Sequence, residues 1–91
     1  MQVSFYATLR QVVGAKNVAF ELPDGATVAT LLDAVANRFP KLEAVMWTEG
    51  GALSDYIKVF VDGREIRHLA MLETPLPPDA QVDIFPPSAG G

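Results

Sequence analysis

The chain has no cysteine, which excludes disulfides, thiolate metal sites and a cysteine nucleophile, and suits a reducing compartment. It has one histidine, His68, with no second histidine or thiolate to complete a zinc site, so a solvent-facing loop position is expected for it. No apolar run approaches the roughly 20 residues that span a bilayer. The start, Met1-Gln2-Val3-Ser4-Phe5, lacks the basic and apolar regions of a signal peptide, so the expectation is a soluble cytoplasmic protein with no membrane partner. Positive charge is also scarce. Seven Lys and Arg against eleven Asp and Glu give a formal net charge of -4, and no basic cluster interleaves with aromatics. Such a chain repels phosphate backbones, which argues against nucleic acid, and favours a protein partner with a basic surface. There is no P-loop, nucleotide-binding glycine pattern or nucleophile elbow. The carboxylate pairs Asp62/Glu65 and Asp79/Asp83 are explained more simply by turn and sheet-edge roles than by acid–base work. The chain thus lacks the parts of an autonomous enzyme, with no metal site and no cofactor bound by its own residues.

What is present is one globular domain: 91 residues, 49% apolar and 20% charged. Val3, Phe5 and Ala7 alternate with Ser4, Tyr6 and Thr8, predicting a strand. After the turn signal Gly14 to Asn17, Val18, Phe20 and Leu22 predict a returning strand that Pro23-Asp24-Gly25 ends, with a short helical turn over Leu9 to Val13 between the two. Thr27 is a hydroxyl N-cap ahead of Val28, Leu31, Leu32, Val35 and Phe39, an apolar stripe at helical spacing that Pro40 stops. Leu42, Val45 and Met46 extend into a second helical turn, Trp47 is expected as half-buried packing, and Glu49-Gly50-Gly51 reads as a mobile loop. Ile57, Val59 and Val61 alternate with Lys58 and Phe60 ahead of Asp62-Gly63, a hairpin signal, and Arg64-Glu65-Ile66 is a short return strand. From Arg67 to Ala80 the chain is irregular, with Leu69, Met71, Leu72 and Leu76 expected to pin it to the core. Gln81 to Phe85 is a last strand, Val82 and Ile84 inward, Asp83 and Phe85 outward, ended by Pro86-Pro87.

This order predicts an α+β fold, a curled, mixed four- to five-stranded sheet packed by one face on a single main helix. Tyr6, Phe60 and Phe85 then project from the opposite face, as a partner-docking patch or as simple cross-strand props. Residues 1–87 form the domain and 88–91 a flexible diglycine tail, reaching at most about 14 Å at 3.3–3.6 Å per extended residue. If Gly91 is the natural end, its carboxylate is an anion at neutral pH, able to attack an activated phosphate, and glycine lets a foreign active site close around the chain. The alternative is that Gly90-Gly91 is only a flexible end.

Phe5-Tyr6-Ala7-Thr8-Leu9-Arg10 leading to Gly14, Asp24-Gly25-Ala26-Thr27-Val28 before Leu31-Leu32, the Val61-Asp62-Gly63 turn, Thr74-Pro75-Leu76 and the closing Val82 to Gly91 together resemble the ubiquitin-like β-grasp sulfur carriers of the MoaD/ThiS type, especially the molybdopterin synthase small subunit (MoaD) and its archaeal-type relatives. The resemblance covers nearly the whole chain, and the last ten residues are its specific part. It implies that Gly91 is adenylated by an E1-like, ATP-using enzyme of the MoeB type and then carries a thiocarboxylate. Sulfur would pass to a large synthase subunit of the MoaE type, or to another acceptor enzyme. Gly90 and Ala89 would thread the active sites of both partners, while Tyr6 and Phe85 match positions that dock on them. The stretch from Lys41 to Tyr56 is longer than in the shortest members, and Arg67 to Leu72 looks more archaeal. Such relatives serve cysteine synthesis, tRNA thiolation or conjugation to lysines. Three readings therefore stand: a sulfur carrier, with molybdenum cofactor synthesis foremost; a ubiquitin-like modifier; and a passive β-grasp interaction module.

Overall fold

The computed structural model describes residues 1–86. Strand β1 (Gln2–Phe5) buries Val3 and Phe5 completely. It ends earlier than its alternation predicts, because Ala7 adopts φ 52 and ψ -128 and turns the chain into helix α1 (Thr8–Val13). Ala7 is exposed rather than inward, and Thr8 is helical rather than extended. Gly14 closes α1 at φ 82, a left-handed position that glycine fills at no steric cost, with its amide on the Arg10 carbonyl. Strand β2 (Asn17–Ala19) then pairs antiparallel with β1, Val3 opposite Val18. Beyond it Phe20 stays buried, whereas Leu22 is only half-buried and outside the ladder.

Helix α2 (Val28–Arg38) begins in a reciprocal cap: the Thr27 hydroxyl accepts from the Thr30 amide at 3.4 Å, and the Thr27 amide donates to the Thr30 hydroxyl at 3.2 Å. Its stripe of Val28, Leu31, Leu32 and Val35 is fully buried, and each such side chain contributes about 1.5–3 kcal/mol through burial. At its end the Arg38 guanidinium lies 5.2 Å from the Phe20 ring and 5.7 Å from that of Phe39, and it donates to the Ala19 carbonyl at 2.9 Å. The edge strand's exit is thereby tied to the helix. A 3-10 turn (Pro40–Leu42) and α3 (Glu43–Met46) follow, burying Leu42 and Met46 but leaving Val45 exposed. Trp47 is half-buried against the core, as expected. The segment predicted as a mobile loop is a closed turn, with Thr48 and Ala52 hydrogen-bonded at 2.8 Å and Trp47 bridged to Leu53.

Strands β3 (Lys58–Val61) and β4 (Arg64–Glu65) are joined by Asp62 at φ 49 and Gly63 at φ 85. Positive φ at both central residues is what a two-residue hairpin with the native twist requires. The following segment corrects two expectations. Leu69 and Met71 are 39% and 40% exposed, so the anchors are Ile66, Thr74 and Leu76. Backbone bonds explain the difference: the Val28 amide donates to the Thr74 carbonyl and the Leu76 amide to the Ala26 carbonyl, both at 3.0 Å, fastening this loop by its own backbone to the start of α2.

Strand β5 (Gln81–Phe85) lies in the middle of the sheet, parallel to β1 and antiparallel to β3. The strand order is β2-β1-β5-β3-β4. Val3, Phe5, Val59, Val61, Val82 and Ile84 meet the α2 stripe in one core, so the sheet grips the helix by one face in the expected α+β, ubiquitin-like β-grasp arrangement. Residues from the other face of β3 and β5 take no part in that core.

Candidate functional site

That second face carries the aromatics. The register sets Phe85 opposite Lys58 and Phe60 opposite Asp83, which leaves Phe60 and Phe85 diagonal neighbours. Their rings meet edge to face at 5.4 Å and 77°. Tyr6, just past β1, donates its amide to the Ile84 carbonyl at 3.2 Å, and its ring stacks on Phe85 at 4.2 Å and 10°. The Arg10 guanidinium lies 5.4 Å from the Tyr6 ring centre, its Nε held by the Phe5 carbonyl at 2.8 Å. Three predicted docking residues are thus one contiguous cluster, each half-buried.

A polar network continues from the cluster. The Tyr6 hydroxyl donates to Asp83 Oδ1 at 2.9 Å. Gln81 Nε2 reaches Asp83 Oδ1 at 3.2 Å and Ser4 Oγ at 2.9 Å, and Ser4 Oγ donates to Asn17 Oδ1 at 2.6 Å. The phenol pKa of Tyr6 is raised above its ordinary value, first by this hydrogen bond to Asp83, then by burial and the Asp83 charge, with Arg10 pulling the other way. Asp83 is therefore no sheet-edge residue. It sits on a central strand and accepts two side-chain bonds. Asp83, Gln81 and Arg10 are the site residues that sequence reasoning missed. The signal for the first two was there, since Gln81, Asp83 and Phe85 follow one another at the two-residue spacing of a single strand face.

On the β3–β4 side, Glu65 binds Arg67 at 2.9 Å and approaches Lys58 at 4.0 Å. Asp62 accepts from the Gln81 amide at 2.9 Å. Of the acid–base pairs considered from the sequence, Asp62, Glu65 and Asp83 are each engaged by a hydrogen bond or ion pair, and Asp79 is exposed. His68 is exposed, and among the described residues no group of three His, Asp or Glu is placed to hold a metal ion. Among the same residues no helix is long and apolar enough to cross a membrane. The expected reactive segment, Ala89, Gly90 and Gly91, and the boundary between residues 87 and 88 lie outside the described residues. Half-buried Pro86 follows Phe85 directly, so the cluster stands at the base of that segment.

Comparison with known proteins agrees with this architecture. A model of the ThiS family matches residues 3–91. Small archaeal modifier protein 3 of Haloferax volcanii is 34% identical over 91 residues, spanning 100% of this chain and 98% of the relative. The crystal structure of SAMP1 from Haloferax volcanii superposes with a TM-score of 0.88 at 30% identity, covering 99% of this chain and 97% of that one. A chain of the BexX/CysO complex of Amycolatopsis orientalis gives a TM-score of 0.83 at 31% identity, with 99% and 98% coverage. With the family match running over residues 3–91, and with relatives at 30% identity or more that superpose over nearly the whole chain, this chain belongs to the ThiS family of ubiquitin-like proteins.

Proposed function

We propose that this protein is a sulfur carrier whose Gly91 carboxylate is activated by an E1-like, ATP-using enzyme. A carboxylate oxygen attacks the α-phosphorus of ATP and pyrophosphate leaves. Hydrosulfide anion, released by a sulfur donor, then attacks the acyl carbon, the acyl C–O bond breaks as AMP leaves, and loss of the sulfur-bound proton gives a thiocarboxylate that delivers sulfur to an acceptor enzyme. ATP is bound by the partner. Carboxylates resist nucleophiles until activated, and this chain has no residues to perform that activation, so the chemistry belongs to the partner and the address to this protein.

One observation carries the reading: the Tyr6–Phe85–Phe60 cluster lies on a sheet face outside the core, at the base of a segment ending in Gly90-Gly91. Clustered aromatics on such a face are the usual anchors of protein interfaces. In this reading Tyr6, Phe60 and Phe85 dock the activating enzyme and then the acceptor, while Ala89 and Gly90 thread their active sites. Molybdopterin synthesis, with a MoaE-type large subunit as acceptor, is the recipient favoured by the opening and closing motifs. Incubation with a cognate activating enzyme, ATP and a sulfur donor is the test, followed by intact mass. Replacement of one terminal oxygen by sulfur supports the proposal, and an unchanged mass contradicts it.

A second reading is favoured by the 34% identity to a small archaeal modifier protein. The same acyl-adenylate would then pass to the Nζ of a target lysine, releasing AMP and forming an isopeptide bond. Thiol-resistant, higher-mass conjugates of a tagged chain in cells, abolished by removal of Gly91, distinguish this outcome from sulfur delivery.

A further inference from the structure

The contacts around Tyr6 restrain Phe85, the last residue of β5. Tyr6 lies lengthwise along β5: its amide is bound to Ile84, its ring to Phe85 and its hydroxyl to Asp83, three consecutive residues. Immediately after it, Ala7 holds φ 52 and ψ -128, a conformation strained for an L-residue, so the backbone turns sharply where Tyr6 must be aimed. Phe85 is then restrained by the stacked Tyr6 ring and by its edge-to-face contact with Phe60, and Pro86 has φ fixed by its own ring. A carboxylate on an outward strand position would by default be solvated by water. This one accepts instead from Tyr6 at 2.9 Å and from Gln81 at 3.2 Å.

We propose that Asp83 is a positioning residue: by holding the Tyr6 phenol it fixes the Tyr6–Phe85 stack, and with it the direction in which the segment after Phe85 enters a partner's active site. The inference rests on the carrier function proposed above and adds a residue to it. In this role Asp83 acts through Tyr6 and Phe85 and not on the reacting atoms. Its loss keeps the three aromatics on the same face but frees the Tyr6 ring from its fixed stack on Phe85 and loosens the approach of the terminal carboxylate, so it lowers turnover more than affinity.

The test uses the full chain and a cognate activating enzyme, measuring ATP-dependent adenylation with Asp83→Ala, Tyr6→Phe and the double variant. Each single change is expected to lower kcat about tenfold with KM held within about twofold, and the double variant to be no worse than either, because both remove the same bond. Asp83→Asn keeps an acceptor for the phenol and is expected to recover most of the rate. The free protein gives an independent readout: the ring-current shifts of the Phe85 ring protons, imposed by the stacked Tyr6, should be lost in Asp83→Ala and kept in Asp83→Asn. Unchanged Phe85 shifts and kcat in Asp83→Ala would overturn the inference, as would a raised KM at constant kcat. Failure of the wild-type chain to be adenylated would overturn the functional reading instead, and the Phe85 shifts would still decide whether Asp83 positions that ring.

Discussion

Ala7 is exposed and packs on nothing in the core, yet it sits at a backbone conformation that only glycine reaches freely. Ala7→Gly is therefore expected to raise stability by about 1 kcal/mol, relief of strain outweighing the extra entropy of the unfolded chain; urea denaturation midpoints check it. Tyr6 supplies a second prediction at this scale. Its folded-state pKa is raised from 10.0, so the native state holds the phenol proton more tightly than the unfolded state does. That contribution is complete below the unfolded pKa and is lost as pH rises through the folded one. In a Tyr56→Phe background, where Tyr6 is the sole tyrosine, ultraviolet titration should show ionisation above the ordinary range, and Asp83→Ala should move it down. Tyr6 and Phe85 were legible in the sequence because alternation tells outward from inward positions. The Asp83 bond was not, since it joins residues 77 apart in the chain and depends on the parallel β1–β5 pairing, which no local pattern encodes.

Helix α2 was the most legible element, because a capping threonine, an apolar stripe at helical spacing and a terminal proline all point to one boundary. Its stability comes mainly from burial, and two substitutions separate the terms. Thr27→Ala removes the cap and is expected to cost about 1 kcal/mol, whereas Leu32→Ala empties a fully buried site and is expected to cost about 3 kcal/mol. Thermal or urea unfolding that ranked the two the other way would contradict this account. The loop after β4 was misread for a physical reason. Leu69 and Met71 look like anchors by composition, but the Thr74 and Leu76 backbone bonds hold the segment, and the Met71 turn at φ 52 leaves its side chain half in water. The hydrogen-bonded turn after Trp47 escaped for the same reason: two glycines in sequence say that the backbone can bend, not whether it closes on itself.

For the molecule as a whole, the division of labour follows from the two faces of the sheet. One face and α2 make the core, and the other presents aromatics beside the base of the terminal segment. Phe60 lies on the proposed docking face without stacking on Tyr6, so Phe60→Ala is expected to raise KM for the activating enzyme about tenfold at nearly constant kcat, the converse of Asp83→Ala. Titration of adenylation rate against carrier concentration distinguishes the two. Composition and motif absences raised the expectation of a partner-dependent protein, and the fold agrees with its family, but the recipient of the proposed activated terminus is written in partners and not in this chain. The central claim is tested most directly by intact-protein mass spectrometry of the chain after reaction with a cognate activating enzyme, ATP and a sulfur donor. A gain equal to exchange of one oxygen for sulfur, confined to a C-terminal peptide containing Gly91 and absent when Gly91 is deleted, is the predicted result; an unaltered mass, or a gain that survives the deletion, would contradict it.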